Sequence, residues 1–130
     1  KFEKYPVDIK CELGSIPDSI TWGELAELPN DIKTNILTQF RTSDNFIGSC
    51  YKYVSWDCGS PCQMIAIFRI NSGELVGTLS SSLGFLIQPN SRLIVLNPPS
   101  KQKIDIEYRQ LVGQPQFYEL WNNKLLKIGE

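Results

Sequence analysis

The chain has 130 residues, with 13 basic and 14 acidic side chains, 42% apolar residues, four cysteines and no histidine. A net charge of −1 supplies no electrostatic footprint for nucleic acid or an anionic membrane. Without imidazole, the Ser-His-Asp and Cys-His nucleophiles, histidine acid/base chemistry and histidine-bound zinc are excluded.

The length suits one domain, residues 1–130, able to bury roughly two thirds of the surface its unfolded form exposes. Residues 1–29 contain Pro6, Gly14, Pro17, Gly23 and Pro29 and few periodic apolar positions, which predicts an irregular arm pinned to the core by Trp22 and Leu25. Lys1-Phe2-Glu3-Lys4-Tyr5 lacks the apolar centre of a signal. No apolar run approaches the roughly 18 residues of a membrane span, so an exported form is expected to have lost its signal already.

From Asn30 the period changes. Ile32, Ile36, Leu37 and Phe40 share one helical face, Lys33, Asn35, Thr38 and Gln39 point away, and Asn30 or Asp31 stands where a cap belongs. This predicts one amino-terminal helix over residues 31–41, within segment 30–41. Residues 44–130 then read as a β-rich core. Tyr51 to Trp56 is rich in β-formers, and Met64 to Phe68 is a continuous apolar run, as in a central strand covered on both faces. Asn71-Ser72-Gly73-Glu74 turns the chain back through Leu75 to Leu79. Further strands are expected at Gly84 to Ile87, Arg92 to Asn97, Ile104 to Tyr108, Phe117 to Trp121 and Leu125 to Ile128. Pro89-Asn90, Pro98-Pro99, Gly113 to Pro115 and a tight turn at Asn122-Asn123 separate them. Short antiparallel strands in this number predict a small barrel, a sandwich or a propeller-like stack of hairpins.

Cys11, Cys50, Cys58 and Cys62 allow three pairings. Zinc would need all four as thiolates, but only Cys58 and Cys62 are close, without the usual second pair. A redox motif has two residues between its cysteines and opens a helix, whereas Cys58-Gly59-Ser60-Pro61-Cys62 lies between strands. Structural disulfides are therefore expected, Cys58 with Cys62 and Cys11 with Cys50, in the bacterial periplasm or outside a cell.

Asn45-Phe46-Ile47-Gly48, Tyr51, the block Trp56-Asp57-Cys58-Gly59-Ser60-Pro61-Cys62, Ser72-Gly73, Asn90-Ser91-Arg92-Leu93 and Tyr118-Glu119-Leu120-Trp121 occur in that order. Over roughly residues 44–128 the chain resembles a family of small, largely uncharacterised exported bacterial proteins. The resemblance rests chiefly on Trp-x-Cys-Gly-x-x-Cys, Ser-Arg-Leu and Tyr-x-x-Trp. Members often carry Gly-His-Tyr where this chain has Gly48-Ser49-Cys50-Tyr51, so no role resting on that histidine applies. The resemblance implies a compartment and a fold but no activity.

Three classes of function remain. The first is a non-catalytic envelope binding protein, an inhibitor or immunity protein, acting as a monomer or weak dimer on a protein partner. In it the Cys58 to Cys62 loop presents Trp56, Asp57 and Ser60, and Tyr118 and Trp121 are further contacts. The same tryptophans and tyrosine suit an ordinary β-core. The second is a glycan or small-ligand module stacking on Trp22, Tyr51, Tyr53, Tyr118 and Trp121. The third is an enzyme using a Cys58/Cys62 redox pair or two carboxylates among Glu24, Glu27, Asp57, Asp105, Glu107 and Glu119. Glu24 and Glu27 could share a helix face, but solvated carboxylates look the same. Asp105 and Glu107 alternate with Ile104 and Ile106 as in a half-buried strand. No metal or cofactor is expected.

Overall fold

A computed structural model describes residues 2–7, 11, 17–59, 62–98 and 114–128. The expected strand Ile104 to Tyr108, with Asp105 and Glu107, and the loop residue Ser60 lie outside them. Short 3-10 turns at Phe2–Lys4 and Gly23–Glu27 punctuate the arm, and a helix, α1, spans Asn30–Thr42. Eight strands follow among the described residues: β1 Phe46–Ile47, β2 Tyr51–Gly59, β3 Cys62–Arg69, β4 Leu75–Ser81, β5 Phe85–Ile87, β6 Leu93–Leu96, β7 Gln116–Trp121 and β8 Lys124–Ile128. They form two four-stranded antiparallel sheets, ordered β1-β2-β3-β4 and β5-β6-β7-β8.

The first sheet is the middle layer. Along β3, Ile65 and Ile67 face the second sheet and join Ile47, Tyr51, Leu79, Ile94, Leu96 and Leu120 in one core. Ala66 and Phe68 face the other way and join Ile36 and Phe40 of α1, Val54, Leu25 and Ile20 in a second. All four β3 residues are 0% exposed, as the continuous apolar run requires of a strand covered on both faces. Phe40 meets Phe68 edge to face at 5.6 Å, a geometry worth about 1 kcal/mol beyond burial itself. The mainly β expectation holds. Of its three forms the observed one is two packed sheets with a helix on the outer face of the first, and the sheets do not close into a barrel.

The cap expected from Asn30 or Asp31 is corrected. Pro29 occupies the capping position and makes no side-chain bond, while Asp31 Oδ1 accepts from its neighbour, the Ile32 N–H, at 2.9 Å. The fixed φ of proline, −56°, sets the chain entering the helix instead. At the other end Lys52, 1% exposed, donates from Nζ to the Phe40 carbonyl at 2.6 Å, satisfying one of the last orphan carbonyls of α1. Burial pulls the Lys52 pKa down, and the nearby Asp44 carboxylate opposes that shift. The ammonium also lies 5.1 Å from the centre of the Phe46 ring.

The arm is tied down by three short sequences. Gly73, at φ +70°, turns β3 into β4 while its carbonyl accepts the Thr21 N–H at 2.8 Å. A Cβ there would stand 2.5 Å from the Ser19 carbonyl oxygen. Gly73→Ala is expected to lower stability by roughly 2 to 3 kcal/mol, from positive φ and a main-chain clash together, as read by urea unfolding. Ser91 and Arg92 hold the first residues: Ser91 Oγ donates to the Tyr5 carbonyl at 2.9 Å, and the Arg92 N–H donates to the same oxygen at 2.8 Å. The third tie is the Cys11–Cys50 disulfide.

Candidate functional site

β1 is only two residues long and pairs with Tyr51 and Lys52, so the rest of β2 has no described strand on its outer edge. Gln39 of α1 takes that place. Its Nε2 donates to the Ser55 carbonyl at 2.7 Å and its Oε1 accepts the Ser55 N–H at 3.1 Å, so one side-chain amide reproduces a strand's pair of bonds. Gln39 Nε2 also donates to Asn35 Oδ1 at 2.5 Å, which orients both amides. Past this clamp β2 runs on into the β2–β3 hairpin, whose tip the Cys58–Cys62 disulfide closes.

An open groove of about 440 Å³ lies between α1 and this hairpin, lined by Asp31, Asn35, Ser55, Trp56, Asp57 and Gln63 among others. The Trp56 ring packs against the edge of the helix-side core and stays half-buried, while Asp57 and Asp31 are exposed. The groove thus combines an indole held from one side, two carboxylates, and hydroxyl and amide groups. That set can hold a cationic or multiply hydrogen-bonding group by stacking and charge.

Of the residues expected to bind, Trp56 and Asp57 come together here. Tyr118 and Trp121 do not join them. Tyr118 points between the sheets, against the core shared by both. Trp121, 41% exposed, lies on the outer face of the second sheet, with the Arg92 guanidinium 5.1 Å from its ring centre. Tyr5 flanks Arg92 at 5.4 Å, Glu119 accepts from Arg92 Nε at 3.2 Å, and the Pro6 carbonyl accepts from Nη1 at 2.5 Å. Ser91-Arg92 and Glu119-Leu120-Trp121 therefore meet across β6 and β7 as an anchor for the arm. The hydrophobic alternation of β7 carries no hint of that role, because it emerges only when the strand register places Arg92 beside Trp121.

The set of stacking rings is not assembled on one surface. Tyr51 is 9% exposed and donates its hydroxyl to Asn123 Oδ1. Tyr53 meets Phe85 edge to face at 5.7 Å, and its burial raises the phenol pKa. Trp22 packs on the helix-side core beneath Lys33 Nζ, 5.2 Å from its ring. Among the carboxylates, Glu24 accepts from Thr78 Oγ1 at 3.0 Å and Glu119 pairs with Arg92. Among the described residues no group of three or more Asp, Glu or Cys is placed to hold a metal.

The two disulfides suit an oxidising, extracytoplasmic environment, and no described helix is long and apolar enough to cross a membrane. Compared with family models, curated proteins and solved structures, the chain shows no significant match.

Proposed function

We propose that this protein is an exported, non-catalytic binding protein of the bacterial envelope, periplasmic or secreted, which occludes another enzyme as an inhibitor or immunity protein. Its contact surface is the groove beside Trp56 and Asp57. One observation carries the reading: an indole and an exposed carboxylate stand on a hairpin fixed by a disulfide at its tip and by the Gln39 clamp at its base. Such a surface loses little conformational freedom on binding, which is how a small rigid contact gains affinity. Aromatic anchors of this kind dominate interface energetics. Asp31 and Asp57 favour a partner that brings a basic side chain, with a guanidinium lying over the Trp56 ring. The lack of histidine and the resemblance to small exported proteins point the same way. Asn35 and Gln63 beside an indole also suit a sugar, so an envelope glycan is the second reading.

The test is mild crosslinking and capture from an envelope extract of the source cell, with the wild type and Asp57→Lys side by side. Asp57→Lys is expected to change stability by less than about 0.5 kcal/mol, since the side chain is exposed. It should weaken the captured complex by about 2 kcal/mol, roughly thirtyfold. A stoichiometric protein retained by the wild type and lost in the variant supports the proposal. Retention of glycan alone, or of nothing, overturns it.

A further inference from the structure

The opposite edge of the same sheet is strand β4. Strand β4 ends the first sheet and β8 ends the second, and no described strand pairs with the outer side of either. The Tyr53 N–H bonds to the Asn45 carbonyl and the Ser55 N–H to Gln39, so these two β2 residues turn their main-chain groups away from β3. Antiparallel alternation then directs Val54 and Ala66 at each other, and Ile65 and Ile67 at Leu79 and Gly77. The main-chain N–H and C=O groups of Thr78 and Ser80 are left on the outer edge.

Beside this edge an open groove of about 550 Å³ runs between β4 and β8, with Val76, Leu79, Tyr118 and Leu125 as its apolar lining and the exposed Lys124 at its β8 side. Leu125 tucks beneath Gly77, where a Cβ would stand 2.8 Å from its Cδ1, so β8 approaches from the core side and, among the described residues, none pairs with the in-plane edge. On the other face of β4, the exposed carboxylate of Glu24 accepts from Thr78 Oγ1. The two faces of the edge therefore differ: toward the second sheet apolar side chains with Lys124 beside them, toward the helix layer the Glu24 carboxylate.

We propose that β4 receives an extended segment of a partner protein as an added strand. The segment alternates apolar residues, which enter the groove between β4 and β8, with polar ones that include a lysine or arginine opposite Glu24. The unpaired main chain dictates an extended backbone, the strand period of two dictates the alternation, and Glu24 dictates the basic residue. This surface is separate from the Trp56 groove and its test does not depend on the outcome there.

The probe is an acetylated, amidated peptide of the same length as β4, Ser-Val-Lys-Val-Lys-Val-Ser, titrated into the oxidised protein while amide resonances and hydrogen exchange are followed by NMR. The proposal predicts saturable binding with new protection at the Thr78 and Ser80 amides, and none with a probe of the same composition whose valines and lysines are grouped into blocks. Ser80→Pro removes an outward N–H without touching the ladder to β3, and should weaken binding at least about tenfold with the melting temperature retained. If that variant fails to fold, Glu24→Lys decides, because it leaves the backbone intact and should weaken the same binding several-fold by charge reversal. Absence of saturable binding, shifts confined to other surfaces, or affinity unchanged in the deciding variant overturns the proposal. Protection of the same amides by concentration alone, without probe, also overturns it and assigns the edge to a second copy of the chain.

Discussion

Replacing Cys11 and Cys50 together by alanine is expected to lower stability by about 4 kcal/mol, because the bridge joins positions 39 residues apart and its removal frees a long loop in the unfolded chain. The native contacts of the arm would have to survive without it. Among those that remain are the clamp at Ser91 and Arg92, the Thr21 bond to Gly73, the Cys11 N–H bond to Ser49 Oγ at 2.8 Å and the packing of Ile20 and Leu25 in the helix-side core. Urea unfolding should show both a lower midpoint and a steeper dependence on denaturant, since the uncrosslinked chain exposes more surface when it unfolds. By contrast the Cys58–Cys62 bridge spans only four positions, and the same loop-entropy argument gives about 2 kcal/mol for its removal. Equal losses for the two pairs would contradict the account of the arm.

Asn97→Ala is expected to cost on the order of 4 kcal/mol, because one 5%-exposed side chain organises the crossing from the first sheet to the second. Its Oδ1 accepts from Ser81 Oγ at 3.0 Å, the Ser82 N–H at 3.0 Å and the Leu83 N–H at 2.8 Å. Its Nδ2 donates to the Gln114 carbonyl at 3.1 Å, linking the end of β6 to the start of β7. Alanine would leave main-chain donors without this acceptor in a place water reaches poorly, and would sit less easily at φ +51°. Asn97→Asp keeps the acceptor and loses only the donor, so it should cost clearly less at neutral pH. The two variants, compared by urea unfolding, separate the role of the acceptor from that of side-chain volume.

Periodicity alone makes the middle layer legible. Ile36 and Phe40 at helical spacing, and Met64 to Phe68 as an unbroken apolar run, point to both the helix and the doubly covered strand. Asn122-Asn123 marks the last hairpin, where both residues adopt positive φ. Lys52 is harder to place, because a lysine in a strand reads as solvent-facing until the carbonyl end of a helix is found above it. Asn97 reads as the end of a strand just before Pro98-Pro99, since nothing local signals that its amide will meet residues of another turn. The same limit applies to the candidate site. Trp56 and Asp57 are visible as loop-flanking residues, but Gln39 and Asp31 join them only through the packing of α1 along β2. Tyr118 and Trp121 share a strand with opposite directions, so the alternation that identifies the strand also separates them from each other.

The most direct measurement on the central claim is carboxyl-directed labelling, read by mass spectrometry, of the oxidised protein free and in complex with its captured partner. Occlusion at the Trp56 groove predicts that labelling of Asp31 and Asp57 falls together on binding while that of Glu74, exposed at the β3–β4 turn and outside the groove's lining, is unchanged. Unchanged labelling of Asp31 and Asp57 in a complex of full occupancy would contradict the claim and move the contact elsewhere on the protein.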